Sequence, residues 1–530
     1  MKAWTRDLRW MVPLSLLLGT GLGLLDGGIW WIGTLAYGLL LLLVFSMLTA
    51  AWRWVCSGQG QRSWRTLALL LGLAFFLRLG IGISLTYLLP ATGYDNPAYQ
   101  AGYLYSDSFD RDSQAWDLAS SDLSLTIAFD KDYSHDQYGG LMALSASVYR
   151  FISPDFHRPW MIVILAAGIY ALGTAFLWKT AGQVLGEKAA LIGSWIFALY
   201  PETLFLGSAQ MREPFLITFT AMAFWGLVDW QASRRRMAWS WIGGGLAGLL
   251  AFSPGVALFA LVVLIGWFLF DQRGGRVSWR ILLAAAGVFL IGLVLFFLAI
   301  SRIETLGEGS ILERIIQWFR YSVSWDVYQL KHLSGWVELL LDEIPESLHL
   351  PFVTGYGLAQ PVLPAAIIEP APWQVQTISV LRAAGWYSLA PLLIYGLVAA
   401  GRNREIRLRS LLLWLGLTMF AWLVICAVRA GGDQWDNPRY RAIFLFWQAL
   451  LAGYALTWQR KQRDPWLVRF LAVEIVFLGF FTEWYIARYT GWTSGRLPFW
   501  VMVAAIVVLS GLILAGGWLR DLLRRRARRP

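Results

Sequence analysis

The chain has 530 residues, of which 58% are hydrophobic and only 15% are charged, and its mean hydropathy is +0.54. This composition lies outside the range of soluble globular domains. A formal net charge of +11 would suggest a nucleic-acid partner, but the basic residues collect in short loops and in the terminal run 520–529, which is typical of membrane topology. Cys56 and Cys426 belong to different apolar runs, so the sequence predicts no disulfide framework.

Fourteen apolar runs have about the length that a membrane-spanning helix needs. They lie near residues 10–25, 29–51, 66–90, 160–179, 189–206, 214–230, 238–252, 255–271, 280–300, 383–400, 409–428, 441–458, 467–486 and 498–519. Lys and Arg alternate between the connecting loops as the positive-inside rule requires. The sequence therefore predicts an all-α polytopic membrane protein of about 14 transmembrane helices with both termini in the cytoplasm.

Two long acidic loops are predicted on the extracytoplasmic side. Residues 91–158 hold ten Asp against four basic residues, and residues 301–382 hold nine acids against five basic residues. Within the second loop, the run 311–320 places its apolar residues on one helical face, which predicts an interfacial helix.

The acidic stretch Tyr105 to Ala119 contains the first candidate for chemistry. Asp112 and Trp116 are four residues apart, so the segment SQAWDLA can form a short helix with an aromatic face on the membrane surface. Asp112 would lie at the start of that helix, either as a catalytic carboxylate or simply as an N-cap. Arg111 beside it is a candidate substrate-binding residue.

Further along the same loop, His135, Asp136 and Tyr138 precede the pair Gly139-Gly140, which permits a tight turn or a close approach of the backbone to a ligand. These three side chains are candidates for binding substrate. One His beside one Asp is weak evidence for a metal, so a divalent cation stays open and no other cofactor is predicted.

Two more candidates stand at the predicted outer starts of later spans. Glu213, before Pro214, suits a helix N-terminus, but Arg212 does not unless a phosphate or carboxylate compensates its charge. The second candidate is the segment NPRYR at 437–441. Its Arg439, Tyr440 and Arg441 would bind a substrate phosphate if the turn after Pro438 were irregular, and otherwise the arginines reach lipid head groups.

The order and sidedness of these motifs resemble the GT-C superfamily of membrane glycosyltransferases, particularly the bacterial relatives of the protein O-mannosyltransferases and of the lipid A aminoarabinose transferase. That superfamily carries a catalytic Asp in its first large loop, often as D-E-x-x-Y. Asp112-Ser113-Gln114-Ala115-Trp116 keeps the Asp and an aromatic residue but lacks the Glu, so Asp107 and Asp110 remain alternatives. Glu213 and the segment 437–441 resemble the later acid and arginine motifs.

This resemblance covers roughly residues 66 to 460 and implies a GT-C-like catalytic region there. Residues 1–65 would then be two additional N-terminal helices, and 461–530 would be C-terminal helices with a basic cytoplasmic tail. It also implies location in a bacterial plasma membrane, with the active site on the extracytoplasmic side.

The resemblance implies transfer of a sugar from a polyprenyl-phosphate carrier to an acceptor hydroxyl, with inversion at the anomeric carbon. Asp112 would be the base and Glu213 a second catalytic residue, while the arginines would hold the departing phosphate. The expected partners are the lipid-linked donor, membrane lipids and an acceptor that is a lipid, glycan or protein, with no nucleic acid. An O-antigen-type ligase or polymerase, and a glycan or lipid transporter, remain alternatives.

Overall fold

The computed structural model describes residues 2–57, 61–130, 138–272, 335–491 and 497–527, with isolated positions between 287 and 330. Within these ranges the chain forms α-helices and short 3₁₀ turns and contains no strand, so the predicted all-α class is confirmed. The chain divides into two compact units. Unit 1 is Met1–Leu264 with Ala442–Ala449, and unit 2 is Ile265–Arg441 with Leu450–Pro530.

Twelve of the described helices and one 3₁₀ turn, Leu125–Phe129, lie wholly or mostly in unit 1. The helices are α1 (Lys2–Leu25), α2 (Trp30–Cys56), α3 (Gln61–Thr92), α4 (Pro97–Gln100), α5 (Ser106–Ser120), α6 (Gly140–Ile152), α7 (Trp160–Val184), α8 (Glu187–Leu199), α9 (Pro201–Leu206), α10 (Glu213–Ser233), α11 (Met237–Phe252) and α12 (Pro254–Gln272). Helix α7 is central in this unit, because it packs against α2, α3, α8 and α10.

Helices α1 and α2 form a tight antiparallel pair. A Cβ atom added at Gly23 would lie 2.6 Å from the carbonyl oxygen of Trp30, and one at Gly19 would lie 2.8 Å from that of Thr34. Small residues let helix backbones approach closely inside a membrane, where van der Waals packing holds helices together. The pair belongs to the same unit as the first long loop.

Nine further described helices and a 3₁₀ turn, Glu346–Leu348, lie wholly or mostly in unit 2. They are α13 (Gly335–Glu343), α14 (His349–Ala359), α15 (Leu363–Ile368), α16 (Trp373–Gly401), α17 (Ile406–Arg429), α18 (Asp436–Ala442), α19 (Leu445–Gln462), α20 (Trp466–Tyr489) and α21 (Phe499–Ala527). An aromatic cluster around Trp336, Phe481 and Trp484 forms the core that joins α13 to α20. The predicted interfacial helix at 311–320 lies outside the described ranges.

Nine helices among the described residues are long and apolar enough to cross a membrane. Of the predicted runs, the one at 280–300 lies outside the described residues except for Gly287, and the four at 189–206, 214–230, 238–252 and 441–458 correspond to helices that are not among the nine. The total of fourteen therefore stays a prediction. The boundaries predicted at 65/66 and 460/461 fall inside α3 and α19, so neither marks a break in the fold.

The apolar run at 189–206 is two helices, not one. Tyr200 takes an extended conformation (φ −60°, ψ 119°) because the following Pro201 disfavours the helical region for the residue before it. The fully buried guanidinium of Arg78 in α3 lies at this break and donates to the carbonyl oxygens of Ala198, near the end of α8, and of Thr203, in α9, each at 3.1 Å. This arginine satisfies the end of α8, where a cation also suits the helix dipole.

Candidate active site around Asp112

The loop segment that carries Asp112 is helical, as predicted, but the helix begins earlier than expected. Helix α5 spans Ser106–Ser120, its N-cap residue is Tyr105, and the acid in its first turn is Asp107. Asp112 lies in the middle of the helix on the buried face, so both its predicted position at the helix start and the N-cap interpretation are wrong. A buried mid-helix carboxylate needs hydrogen-bonding partners from other elements.

Three side chains supply those partners. The Tyr103 hydroxyl donates to Oδ2 of Asp112 at 2.7 Å, and the Tyr149 hydroxyl of α6 donates to Oδ1 at 2.5 Å. Nε2 of His157, just before α7, lies 2.9 Å from Oδ2. Both carboxylate oxygens are thus occupied by residues from three separate parts of the first loop.

The two tyrosines act as permanent donors in this arrangement. Burial, followed by the charge of Asp112, raises the pKa of Tyr103 and of Tyr149 well above the usual value. Both hydroxyls therefore keep their protons across the physiological range. Asp112 is locked as an acceptor between them.

His157 is the accessible member of the group. Its side chain is 27% exposed, whereas the Asp112 side chain is 0% exposed. Trp116 stacks on the imidazole with ring centroids 5.1 Å apart, and Tyr149 meets it edge-on at 5.0 Å. The predicted aromatic partner of Asp112 therefore packs against the histidine.

His157 did not emerge from the sequence as a candidate. It stands in FHRPW (156–160), directly before an apolar run, and nothing in the local sequence links it to a residue 45 positions earlier. The one available signal was a histidine beside Arg158 at the end of an acidic loop.

A cavity of about 200 Å³ adjoins this cluster within unit 1. Its lining includes His157 and Tyr103 but not Asp112, together with side chains from α2, α3 and α7. The polar and aromatic side chains that line it include Asp26, Tyr37, Thr86, Trp160, Ser208 and Gln210. Among the described residues no Lys or Arg lines it, so the cavity suits a neutral hydroxylated group better than a phosphate.

The turn between α1 and α2 contributes to this wall through Asp26. Its Oδ2 accepts from Nε of Arg158 at 2.8 Å, and Arg158 also donates to both carboxylate oxygens of Asp155, at 2.8 and 3.0 Å. The Arg158 hydrogen bond lowers the pKa of Asp155 below its usual value. The N-terminal helix pair is thereby tied to the residue that follows His157.

The remaining predicted residues of unit 1 lie on neighbouring elements. Arg111 donates to the carbonyl oxygen of Gln210 at 3.2 Å, which links α5 to the segment lining the cavity. Arg212 is the N-cap residue of α10 and lies over the Tyr138 ring, 5.1 Å from its centroid. Glu213 is buried in the first turn of α10, as its sequence position predicted. His135 and Asp136 lie outside the described residues.

The arginines of NPRYR do not converge. Residues 436–442 form the regular helix α18, so Arg439 and Arg441 point apart. Arg439 pairs with Asp436 at 3.3 Å, while Arg441 is buried, donates to the carbonyl oxygens of Leu358 and Gln360, and lies over the Trp386 ring.

Tyr440 donates through its hydroxyl to Asp436 at 3.1 Å. The irregular turn that a shared phosphate site required is absent from the described segment, and Arg441 has a structural role within unit 2. A part of these three residues in substrate binding stays a prediction.

No group of three or more His, Cys, Asp or Glu side chains that could hold a metal ion occurs in the part of the chain that the structure describes.

Comparison with known proteins gives distant structural matches. No family model matches the chain, and no curated protein matches it. Two solved structures of the Archaeoglobus fulgidus oligosaccharyltransferase are similar, at 13% identity with a TM-score of 0.38 and at 12% identity with a TM-score of 0.36. The first is described as AglB in complex with an inhibitory peptide and a dolichol-phosphate, and the second as the apo form. Each alignment covers 86% of this chain but only 55% of the oligosaccharyltransferase. Similarity at this level does not establish a shared activity.

Proposed function

We propose that this protein is a membrane glycosyltransferase of the GT-C type, which moves a sugar from a lipid-phosphate carrier to an acceptor hydroxyl at the extracytoplasmic face. The observation that carries the proposal is the buried Asp112 carboxylate, hydrogen-bonded to a partly exposed His157 at the edge of a polar cavity. A carboxylate–imidazole pair beside a cavity can act as a general base and take a proton from a hydroxyl group.

The lining of the cavity supports a neutral, hydroxylated acceptor. Asp26 and Gln210 offer groups that bind hydroxyls, and Trp160 and Tyr37 offer aromatic faces. Because the lining residues include an acid and no Lys or Arg in the described ranges, a phosphate would be disfavoured there. The carrier phosphate is therefore expected to bind outside this cavity.

Arg212 is the best candidate in unit 1 for that phosphate. It is half-buried, it is the N-cap residue of α10, and its guanidinium lies over the Tyr138 ring. Within the described residues it forms no ion pair. A helix N-terminus and an arginine together favour an anion, and the leaving phosphate gains negative charge as the sugar departs.

The membrane setting supports a lipid-linked donor. Nucleotide sugars are cytoplasmic, so a transferase that works on the outer face has to draw its sugar from a carrier that crosses the bilayer. In the sequence, the site lies between two apolar helices that are long enough to span the membrane, α3 before it and α7 after it. Direct attack of the acceptor hydroxyl on the anomeric carbon inverts its configuration.

The proposal is tested by transfer of label from radioactive polyprenyl-phosphate sugars to acceptors in a membrane extract, with purified protein in nanodiscs. Asp112→Asn should lower the rate by about 10²–10⁴-fold, the usual contribution of general base catalysis. Asp122→Asn is the matched control, since Asp122 is an exposed carboxylate in the same loop. The product anomer, read by NMR, should be inverted.

Two results would count against this function. One is the absence of transfer from every donor by the wild-type protein, and the other is equal transfer by the two variants. Either result would direct attention to the transporter and ligase alternatives, which an assay of glycolipid flux across proteoliposomes would separate.

A further inference from the structure

We propose that His157, not Asp112, accepts the proton of the acceptor hydroxyl, and that Asp112 is a positioning residue which orients the imidazole. This inference rests on the proposed function and names the reacting atom within it. It assigns a catalytic role to a residue that neither the sequence motifs nor the comparisons single out.

Accessibility is the first argument. The Asp112 side chain is completely buried, and the cavity lining includes His157 but not Asp112. A general base has to come within hydrogen-bonding distance of the hydroxyl it deprotonates. A substrate in the cavity meets the imidazole before it can meet the carboxylate.

The second argument is the hydrogen bonding of Asp112. Oδ1 accepts from Tyr149, and Oδ2 accepts from Tyr103 and faces His157. Both tyrosine hydroxyls stay protonated, so these bonds cannot reverse. To reach Asp112 directly, an acceptor hydroxyl would have to pass the side chains of Tyr103, Tyr149 and His157, which already surround the buried carboxylate.

The tautomer of His157 follows from the same contact. Nε2 faces a carboxylate oxygen that already accepts from Tyr103, so Nε2 carries a hydrogen and donates it to Oδ2. Nδ1 then has a free lone pair, and it makes no hydrogen bond to any of the described residues. Stacking by Trp116 and the edge contact with Tyr149 hold the ring plane.

The surrounding charges favour the protonated product. Asp112 on α5 lies 2.9 Å from the ring, and Asp26 from the α1–α2 turn lines the same cavity. Tyr149 on α6 and Tyr103 before α5 face the pair as neutral hydroxyls. Arg158, next in sequence, is neutralised by Asp26 and Asp155. An imidazolium formed at His157 would therefore be stabilised mainly by Asp112.

In the reaction, the acceptor O–H bond breaks and its proton passes to Nδ1 of His157. The oxygen electron pair forms the new bond to the anomeric carbon of the donor sugar. The bond between that carbon and the carrier phosphate breaks, and its electron pair leaves on the phosphate oxygen. The imidazolium then returns its proton to water.

The test compares His157→Gln with His349→Gln in the nanodisc transfer assay. His349 is a matched control, because its Nε2 lies 2.9 Å from the carbonyl oxygen of Leu341 in unit 2. His157→Gln should lose about 10²–10⁴-fold in kcat with little change in KM, and the control should keep the wild-type rate. The double variant Asp112→Asn/His157→Gln should be no slower than the slower single variant, because the two residues act as one unit.

A further measurement separates catalysis from a purely structural role. Adding imidazole to His157→Ala should restore transfer, as it would supply the missing base.

Three outcomes overturn the inference. If Asp112→Asn is inactive while His157→Gln retains full kcat, Asp112 is itself the base and the proposed function survives. Failure of imidazole to rescue a folded, monodisperse His157→Ala protein points to a structural histidine. Absence of any transfer by the wild type removes both proposals together.

Discussion

Replacing Arg78 by lysine tests whether the guanidinium fork holds the break between α8 and α9. Arg78 makes four hydrogen bonds, from Nε and Nη2 to Thr203 and from Nη1 to Ala74 and Ala198, at 2.8 to 3.2 Å. Its guanidinium carbon also lies 3.5 Å from the ring centroid of Tyr170. Lysine keeps the buried charge, so the desolvation cost stays and only the fork is lost.

The expected loss follows from the bonds that an ammonium group cannot make. A single nitrogen cannot reach both ends of the fork, so the two bonds at one end disappear, either those to Thr203 or those to Ala74 and Ala198. Two hydrogen bonds of a charged donor are worth about 3–6 kcal/mol in soluble proteins. Interhelical hydrogen bonds inside membranes average nearer 0.6 kcal/mol and reach about 1.7. We therefore expect Arg78→Lys to lower the free energy of unfolding by about 2–4 kcal/mol.

The assay is the rate of irreversible unfolding of the nanodisc-embedded protein at a fixed temperature, since such proteins seldom refold. The matched control is Arg53→Lys, because Arg53 is 24% exposed, so water can replace the donors that lysine lacks, and a lysine ammonium can still pair with Asp7. The segment after Pro201 supplies Ser208 and Gln210 to the cavity, so Arg78→Lys should also lower transferase activity. Equal unfolding rates for the two variants would refute the reasoning.

Two further predictions concern the first loop. Gly139→Ala should destabilise the protein by about 1–3 kcal/mol, because φ is +73° and the new Cβ would lie 2.2 Å from the carbonyl oxygen of Ala128. Gly27→Ala is the control for the backbone cost alone, because φ is +79° there and no atom lies within 4 Å of the new Cβ. If both variants lost the same thermal stability, the proposed clash between the new Cβ at position 139 and the Ala128 carbonyl would be contradicted. The second prediction follows from the lowered pKa of Asp155, whose hydrogen bond from Arg158 contributes stability that is fully present above the unfolded-state value. That contribution should disappear as pH falls below about 4 toward the lowered folded-state pKa of Asp155. Thermal unfolding measured over a series of pH values should show this loss in the wild type and not in Asp155→Asn.

The class of the protein followed from the sequence because it depends on composition and on local pattern. Apolar runs of membrane-spanning length and the alternation of basic loops predicted an all-α polytopic chain, and nine of those runs correspond to long apolar helices among the described residues. The spacing of Asp112 and Trp116 also predicted the helix that became α5, because an i, i+4 pair reports a shared helical face. Pattern of this kind shows which side of a helix is buried.

The residue pattern does not show which other elements cover the buried side of a helix. The tertiary structure decides this. Tyr103, Tyr149 and His157 meet at Asp112 only because α5, α6 and the start of α7 pack together, across separations of up to 45 residues. Asp26 reaches the cavity because the N-terminal helix pair packs against α7. The separation of Arg439 from Arg441 likewise depended on whether residues 436–442 formed a helix or an irregular turn. The sequence thus determined a membrane protein with an acidic first loop. Its charged and aromatic side chains were brought together by helix packing, and local periodicity does not specify which helices pack together.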